Sequence, residues 1–462
     1  VVPKDGNYWL FFKHGWWTHV VASESPYDFC GYAPKRLGFC HASEVFCGGA
    51  VVDYPLFGGL GGISLSREQP DARAFYGSSR LAGRRTAATD ISGGSGMKLA
   101  GPSDTGNLGG VGWPSADELL EMQESDFVLH ASGGQFHRVP VRKSVLPHDP
   151  FGHPQMVHVA RAPDGAIYVN QGSLMCRSDD EGATWDSHER GDVAGRLLSS
   201  TKTSHLYPYN GPFAILADGT FVLTGSNDGV SSAPLDIMCS SDEGRTWGVR
   251  SRISLPVQYD ERYFHSLRAL EDGRLLLLVC CRDHLVWEPP ARGLMHLLAF
   301  RSEDGGHTWA DPSLVCDWGT EGAVAELGGA QLLAVIRYQR PRMPEDGRED
   351  LEPQGAQGDL AWKHVFLADS HNGGRTWGNL RQLTTIFGQC FGAPAVGGDG
   401  TLAVIHDTRY GPGPPSGRVM LSRNRGSTWA DEVTYLYYGT AVSGFSASVT
   451  LDDGDVLSIV GT

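Results

Sequence analysis

Short apolar runs that meet in pairs across an Asp-Gly turn recur along the C-terminal two thirds of the chain. Val157 to Ala162 and Ala166 to Asn170 flank Asp164-Gly165; Leu267 to Leu270 and Arg274 to Cys280 flank Asp272-Gly273. Asp-Gly between β-prone runs is the strongest short hairpin signal, because a tight turn matched to strand twist needs positive φ. The same turn returns at Asp218-Gly219, Asp399-Gly400 and Asp453-Gly454. The pattern predicts a series of β-hairpins, and helices fit it poorly.

A second pattern rides on the first. Ser-x-Asp/Asn-x-Gly-x-Thr-Trp occurs five times, beginning at Ser178, Ser240, Ser302, Ser370 and Ser422, with its tryptophans 62, 62, 68 and 52 residues apart. A repeat of this length is too short for a domain, so each unit is expected to bury its apolar face only against its neighbours. Strand, Asp-Gly turn, strand, further strand, box and outer strand together read as one four-stranded propeller blade. Within the box, Ser and Asp or Asn bond backbone amides, Gly takes a conformation other residues resist, and Trp packs between sheets. Its expected role is to fold the hairpin, not to do chemistry.

Counting from about Asp126, five boxed units are followed by a sixth hairpin without a box, Ser443 to Leu457. The expected fold class is therefore all-β, a six-bladed β-propeller with five box repeats over residues 121–462, plus an N-terminal extension of uncertain fold over 1–120. The last blade needs an outer strand from elsewhere, and Phe127 to His130 is the expected donor, closing the ring and removing exposed sheet edges. Residues 340–360 interrupt the fourth unit and read as a polar surface loop. In the extension, the stretch from Asn7 is expected to give two strands of an accessory β module, and Pro114-Ser115 onward a capped helical turn or two. A loosely ordered extension is the other reading of 1–120.

Composition narrows the partners. With 53 acidic against 38 basic residues the formal charge is −15, which argues against nucleic acid and anionic membrane surfaces. An anionic ligand would have to be held by a local arginine cluster. No run of about 18 apolar residues is present, so no membrane span is expected. Nine cysteines lack metal-ligand spacing and read as buried apolar fillers; neither metal nor organic cofactor is implied. No initiator Met and no basic-then-apolar segment stands at Val1, so a fragment or processed form is expected.

In a propeller the innermost strands begin around a central channel whose loops line the natural pocket. Aligning the units on their glycine turns puts Arg282, Arg337 and Arg409 near one place in three successive blades, with Asp228 at the matching place in the second and Asp283 adjacent. Inner-strand beginnings offer His153, Tyr209, Arg262, His265 and Glu321. Converging guanidinium groups suit a carboxylate or sulfate, because they present paired donors in the anion's plane. Glu321 beside them is a candidate acid, base or activator of a nucleophile.

At this point the chain resembles the sialidase (neuraminidase) superfamily, six-bladed propellers that carry such Asp-box repeats, over about residues 126–462. The stretch from Glu321 to Arg337 looks like the family segment in which a glutamate and, sixteen residues on, an arginine reach the pocket. Arg418, ahead of the last box, is similar in place to another carboxylate-gripping arginine. The resemblance thus favours Arg337 and Arg418, where repeat position favours Arg337 and Arg409. Other matches fail. The family's tyrosine nucleophile has Phe445 in its place; its first arginine has Gly152-His153-Pro154, with Arg138-Val-Pro140 nearby; its acid/base aspartate has no counterpart in the short Asn170 to Ser178 segment.

The resemblance implies a glycoside hydrolase releasing a terminal acidic sugar, sialic acid or related, from a glycan. Arg337 and Arg418, with Arg409, Arg282, Arg262, Tyr209 and His153, are the expected substrate-binding set. Glu321 is the leading catalytic carboxylate, and Asp228, Asp283 or His265 the expected acid/base partner. Without the tyrosine, direct attack by water is the simpler mechanism. A glycan substrate favours a secreted or periplasmic setting. Two rivals stay open: a non-catalytic glycan-binding propeller, and a polysaccharide lyase acting on uronate-containing glycans.

Overall fold

The computed structural model describes residues 114–147, 158–170, 174–190, 211–225, 234–255, 259–283, 294–341, 361–384, 389–408, 416–430, 432–438 and 446–460, together with short strands nearer the N-terminus. Among the latter, Val2–Lys4, Asn7–His14, Trp17–Ser23 and Lys35–Phe39 form a four-stranded antiparallel sheet, including the two strands expected from Asn7.

The main body is an all-β propeller. Four antiparallel sheets follow one another, each with four strands in sequence order. The first comprises His158–Arg161, Ile167–Asn170, Leu174–Ser178 and Asp186–Glu189. The second comprises Phe213–Ile215, Phe221–Gly225, Leu235–Ser240 and Gly248–Ile253. Tyr259–Ala269, Leu275–Asp283, Leu294–Ser302 and Ser313–Asp317 make the third. Gly319–Glu326, Leu332–Pro341, Ala361–Ser370 and Gly378–Gln382 make the fourth. In the fifth, Gln389–Val396, Leu402–Thr408, Ser416–Ser422 and Val433–Tyr438 are extended by Phe127–Ser132 and Gln135–Pro140. A two-stranded hairpin, Ser446–Thr450 and Val456–Val460, completes the chain's strands. Each blade's inner strand packs on the next blade's inner strand, the fifth packs on the hairpin, and the hairpin packs on the first, closing a ring.

Alternation along the strands builds the seams between blades. In the second strand of the third blade Leu275, Leu277, Val279 and Cys281 face the second blade, whereas Leu276, Leu278 and Cys280 face the fourth. In the fourth blade Leu332, Ala334 and Ile336 face the third, and Leu333 and Val335 face the fifth. These strands are buried on both faces and so read as continuous apolar runs.

The five boxes share one geometry. In the first, Ser178 Oγ donates to Asp180 Oδ1 at 2.8 Å and accepts from the Gly182 amide at 2.8 Å. Asp180 then accepts from the Thr184 amide at 2.8 Å and the Thr184 hydroxyl at 2.7 Å. The serine, aspartate or asparagine, and threonine amide bonds repeat at Ser240, Ser302, Ser370 and Ser422. Each turn lies against the unit before it. A Cβ on Gly374 would stand 2.9 Å from Leu276 of the third blade, and one on Gly182 3.0 Å from Leu457 of the terminal hairpin.

Two expectations are corrected here. Phe127–Ser132 does not complete the terminal hairpin; it pairs with Val433–Tyr438 on the fifth blade's outer edge, where Leu129 lies opposite Tyr435. That edge offers an apolar strip, and the helix Ala116–Glu124, capped by Ser115 and Glu118 as expected, covers it with fully buried Leu119 and Met122. The segment that follows meets the first box instead: Ser144 Oγ donates to the Gly182 carbonyl, as Ser251 Oγ of the second blade donates to Gly306. The loop read from residue 340 begins later, because Arg340 and Pro341 still pair with Trp362 and Ala361, and Arg340 is buried over the Trp362 ring at 4.1 Å. Arg138, whose match fails in the sequence, belongs to the outermost strand and is tied to Glu121 by two bonds of 2.6 Å.

Candidate active site at the channel mouth

The fourth blade presents the chemistry. Its inner strand opens after Trp318, which takes a left-handed φ of 63° yet is 8% exposed. Such a backbone is uncommon for a bulky residue and persists only where its surroundings enforce it. Here the Trp318 amide donates to Met295 O at 2.6 Å and its carbonyl accepts from the Gln339 amide at 2.8 Å. Glycines then let this strand press against the third blade: a Cβ on Gly319 would meet Cys316 Sγ at 2.7 Å, and one on Gly322 would meet Leu297 at 2.8 Å. Between them stands Glu321.

Glu321 lies directly across from Arg337 on the second strand, past a register irregularity after Gly319. Arg337 Nη1 donates to Glu321 Oε2 at 2.8 Å, and the side chains are 12% and 14% exposed. Glu321 is near the start of its strand and Arg337, midway along the next, lies beside it, so the pair stands away from the Gly328-Gly329 turn, toward the mouth of the channel. Arg337 shares its face with Leu333 and Val335, so the pair looks into the seam with the fifth blade.

The opposite wall of that seam carries more charge. Arg418 is fully buried on the fifth blade's third strand, opposite His406 on one side and Tyr435 on the other. Its guanidinium sits 5.4 Å from the Tyr435 ring centre, and its Nε donates to Ser416 Oγ at 3.2 Å. His406 alternates with Leu402 and Val404 and faces the same seam at 1% exposure. The fold thus brings Glu321, Arg337 and Arg418 to one interblade seam, with His406 as a member that sequence reading missed. No spacing motif marks it; only the strand's parity does.

Arg282 is not part of this group. It faces the third and fourth blades' seam with Leu276, Leu278 and Cys280. It also lies seven residues past Leu275, which pairs with its box serine, whereas Arg337 lies five past Leu332. Cys280 and Asp407 occupy the rung that Arg337 holds. Arg262, His265 and Asp283 are placed as strand positions of the third blade, Arg262 opposite Cys281 and Asp283 opposite Tyr259. His153, Tyr209, Asp228, Arg409 and Phe445 lie outside the described residues.

A second polar chain sits on the third blade and was also missed. Tyr259 Oη is 2.9 Å from His296 Nδ1, and His296 Nε2 is 3.2 Å from Asp317, so an aspartate orients a histidine that meets a phenol. Cys281, opposite His296, faces the second blade, which sets this group in a different seam from Glu321.

No known family profile matches the chain, and no curated protein matches its sequence. Solved structures do. A Hadza microbial sialidase is similar at 17% identity, over 68% of this chain and 66% of its own, with a TM-score of 0.45. An α-L-arabinofuranosidase, Arb93A from Fusarium graminearum, is similar at 15% identity, over 68% and 90%, with a TM-score of 0.47. A leech intramolecular trans-sialidase is similar at 13% identity, over 66% and 64%, with a TM-score of 0.43. Sialidases and arabinofuranosidases therefore stand among the structures the chain is similar to. Among the described residues no helix is long and apolar enough to cross a membrane.

Proposed function

We propose that the chain is a sialidase-like glycoside hydrolase that releases a terminal acidic sugar from a glycan. In this reading the terminal hairpin is the sixth blade, the five repeated turns are the family's Asp-boxes, and residues 121–462 form the catalytic unit. The observation that carries it is the Glu321–Arg337 pair at the channel mouth, 2.8 Å apart and nearly enclosed, with Arg418 in the same seam.

Arg337 and Arg418 grip the sugar's carboxylate through paired in-plane donors. Glu321, already an acceptor in the pair, takes a proton from water as the oxygen attacks the anomeric carbon. The glycosidic carbon–oxygen bond breaks, and an acid across the site, Asp228, Asp283 or His265, gives its proton to the leaving oxygen. Arg409, Arg262, Tyr209 and His153 line the remainder of the subsite. Phe445 in the nucleophile's place favours water over a covalent intermediate. The same phenylalanine favours the second reading, a glycan-binding propeller without turnover.

A panel of sialyl, uronosyl and neutral aryl glycosides separates the readings. Turnover confined to acidic glycosides, with kcat lowered roughly 10²–10⁴-fold by Glu321→Gln and kcat/KM lowered about tenfold or more by Arg337→Ala, is expected. Full activity in Glu321→Gln would remove that residue from the mechanism. Silence of the wild-type chain, with glycan binding that still needs Arg337, would establish the binding protein instead.

A further inference from the structure

The inner strands enclose a channel of 340 Å³ on the propeller axis, walled by small side chains such as Ala160, Ala214 and Ala323 and reached by Arg161 and Arg268. Its wall in the fourth blade is Ala323 and Val324, so the cavity begins beyond Glu321 and runs toward the Asp-Gly turns. Two arginines reach it in different states. Arg161 is held by Asp452 at 2.5 Å. Arg268 is not so held. It lies opposite Leu276 and shares that residue's face, at the inner edge of the seam between the third and fourth blades.

Arg268 Nε is sealed from solvent without a hydrogen-bond partner among the described residues. Glu326 and Glu271 act on its guanidinium through space. The Glu326 carboxylate is itself engaged, accepting from the Glu271 amide at 2.9 Å. A buried donor left unmade is unfavourable, and a guanidinium is relieved best by an anion offering two oxygens in its plane. The surroundings suit such a guest. Each inner strand is the first of its sheet and is paired on one side only, so its other edge presents backbone N–H and C=O groups along the axis. The volume falls at the small end of ligand pockets, which run from about 300 to 1,000 Å³.

We propose that the turn-side half of the central channel binds a small organic carboxylate, anchored by Arg268 and completed by the open inner-strand edges around it. This site is separate from the mouth and does not depend on the glycosidase reading.

The test is thermal unfolding of the full chain carrying Arg337→Ala, which takes from the mouth one of the two arginines that grip a carboxylate there. Sodium acetate is compared with sodium chloride at equal ionic strength. Acetate is expected to raise Tm by about 1–2 °C at saturating concentration relative to chloride. Adding Arg268→Gln is expected to weaken the apparent affinity about tenfold or more, and Arg268→Lys less so. An acetate effect no greater than that of chloride overturns the proposal. So does an undiminished effect in Arg268→Gln, or, should that variant fail to fold, in Arg268→Lys. A larger shift from inorganic phosphate than from acetate overturns the carboxylate assignment.

Discussion

At the scale of single residues, the aspartates of the first three boxes couple the fold to acidity. Asp180 is held down to about 2 by the Thr184 hydroxyl and amide and by Ser178. At Asp242 and Asp304 burial pushes the other way and is outweighed by the same bonds, again leaving about 2. A carboxyl depressed in the folded state stabilises it above the unfolded value, near 3.8, and loses that contribution as pH falls through about 2. The fourth and fifth boxes have Asn372 and Asn424, which make the equivalent amide bonds without titrating. Replacing Asp180, Asp242 and Asp304 together by Asn is therefore expected to keep the turns and flatten Tm between pH 4 and 2; an unchanged slope would place the acid sensitivity elsewhere. The boxes were legible in sequence because each is a closed local circuit. The Glu321–Arg337 pair was legible for a similar reason, since two strands joined by a tight turn put residues sixteen apart face to face. Alignment with Arg282 was not, because the two turns are equally long but Gly273 stands where the fourth blade has Ala330, so counting from Gly328 shifts the rung by two.

At the scale of elements, each box is a bracket between consecutive blades. In the third, fourth and fifth boxes the glycine carbonyl accepts from the unit before: Ser251 serves Gly306 at 2.5 Å, Ser313 serves Gly374 at 2.6 Å, and Arg381 serves Gly426 at 3.3 Å; in the second, His188 of the first blade meets the Glu243 carbonyl at 3.0 Å. The first box has no preceding four-stranded blade, and there Ser144 serves Gly182 at 2.5 Å while also accepting from Trp185 Nε1 at 3.0 Å. Ser144→Ala removes both bonds, and a loss of about 1–2 kcal/mol in unfolding free energy is expected from chemical denaturation. A loss near zero would show that the segment merely passes by. Sequence reading found the strands, the turns and the capped helix, all of which are set by neighbours in the chain. It misplaced Phe127–Ser132, because which exposed edge an apolar strand joins depends on a partner some 300 residues away, Val433–Tyr438, and on Leu119 and Met122 covering the result. His406 and the Tyr259–His296–Asp317 chain were missed on the same ground: their meaning comes from the seam they face.

At the scale of the whole molecule, the ring is closed where the fifth blade meets the terminal hairpin and the hairpin meets the first. The contact is made by turns as well as strands. Gly398 donates its amide to the Gly454 carbonyl at 2.9 Å, and a Cβ on Gly398 would stand 2.6 Å from the Gly454 Cα. Thr450 Oγ1 donates to Val396 O at 2.5 Å, Leu457 lies under the Gly182 turn, and Asp452 reaches Arg161 across to the first blade. Closure keeps every inner edge on the axis, and so maintains both the mouth with its arginines and the channel behind it. Gly398→Ala is accordingly expected to part the two turns and cost about 1–3 kcal/mol, with the damage concentrated at the closure. Hydrogen exchange is the measurement that locates it. Amides of 446–460 should exchange faster in the variant than in the wild type, while those of the third and fourth blades, whose seam holds Leu276, Ile336 and Phe366, remain protected. Equal acceleration everywhere would mean that the ring opens only as a whole, and that hairpin and blades form one cooperative unit from mouth to turn.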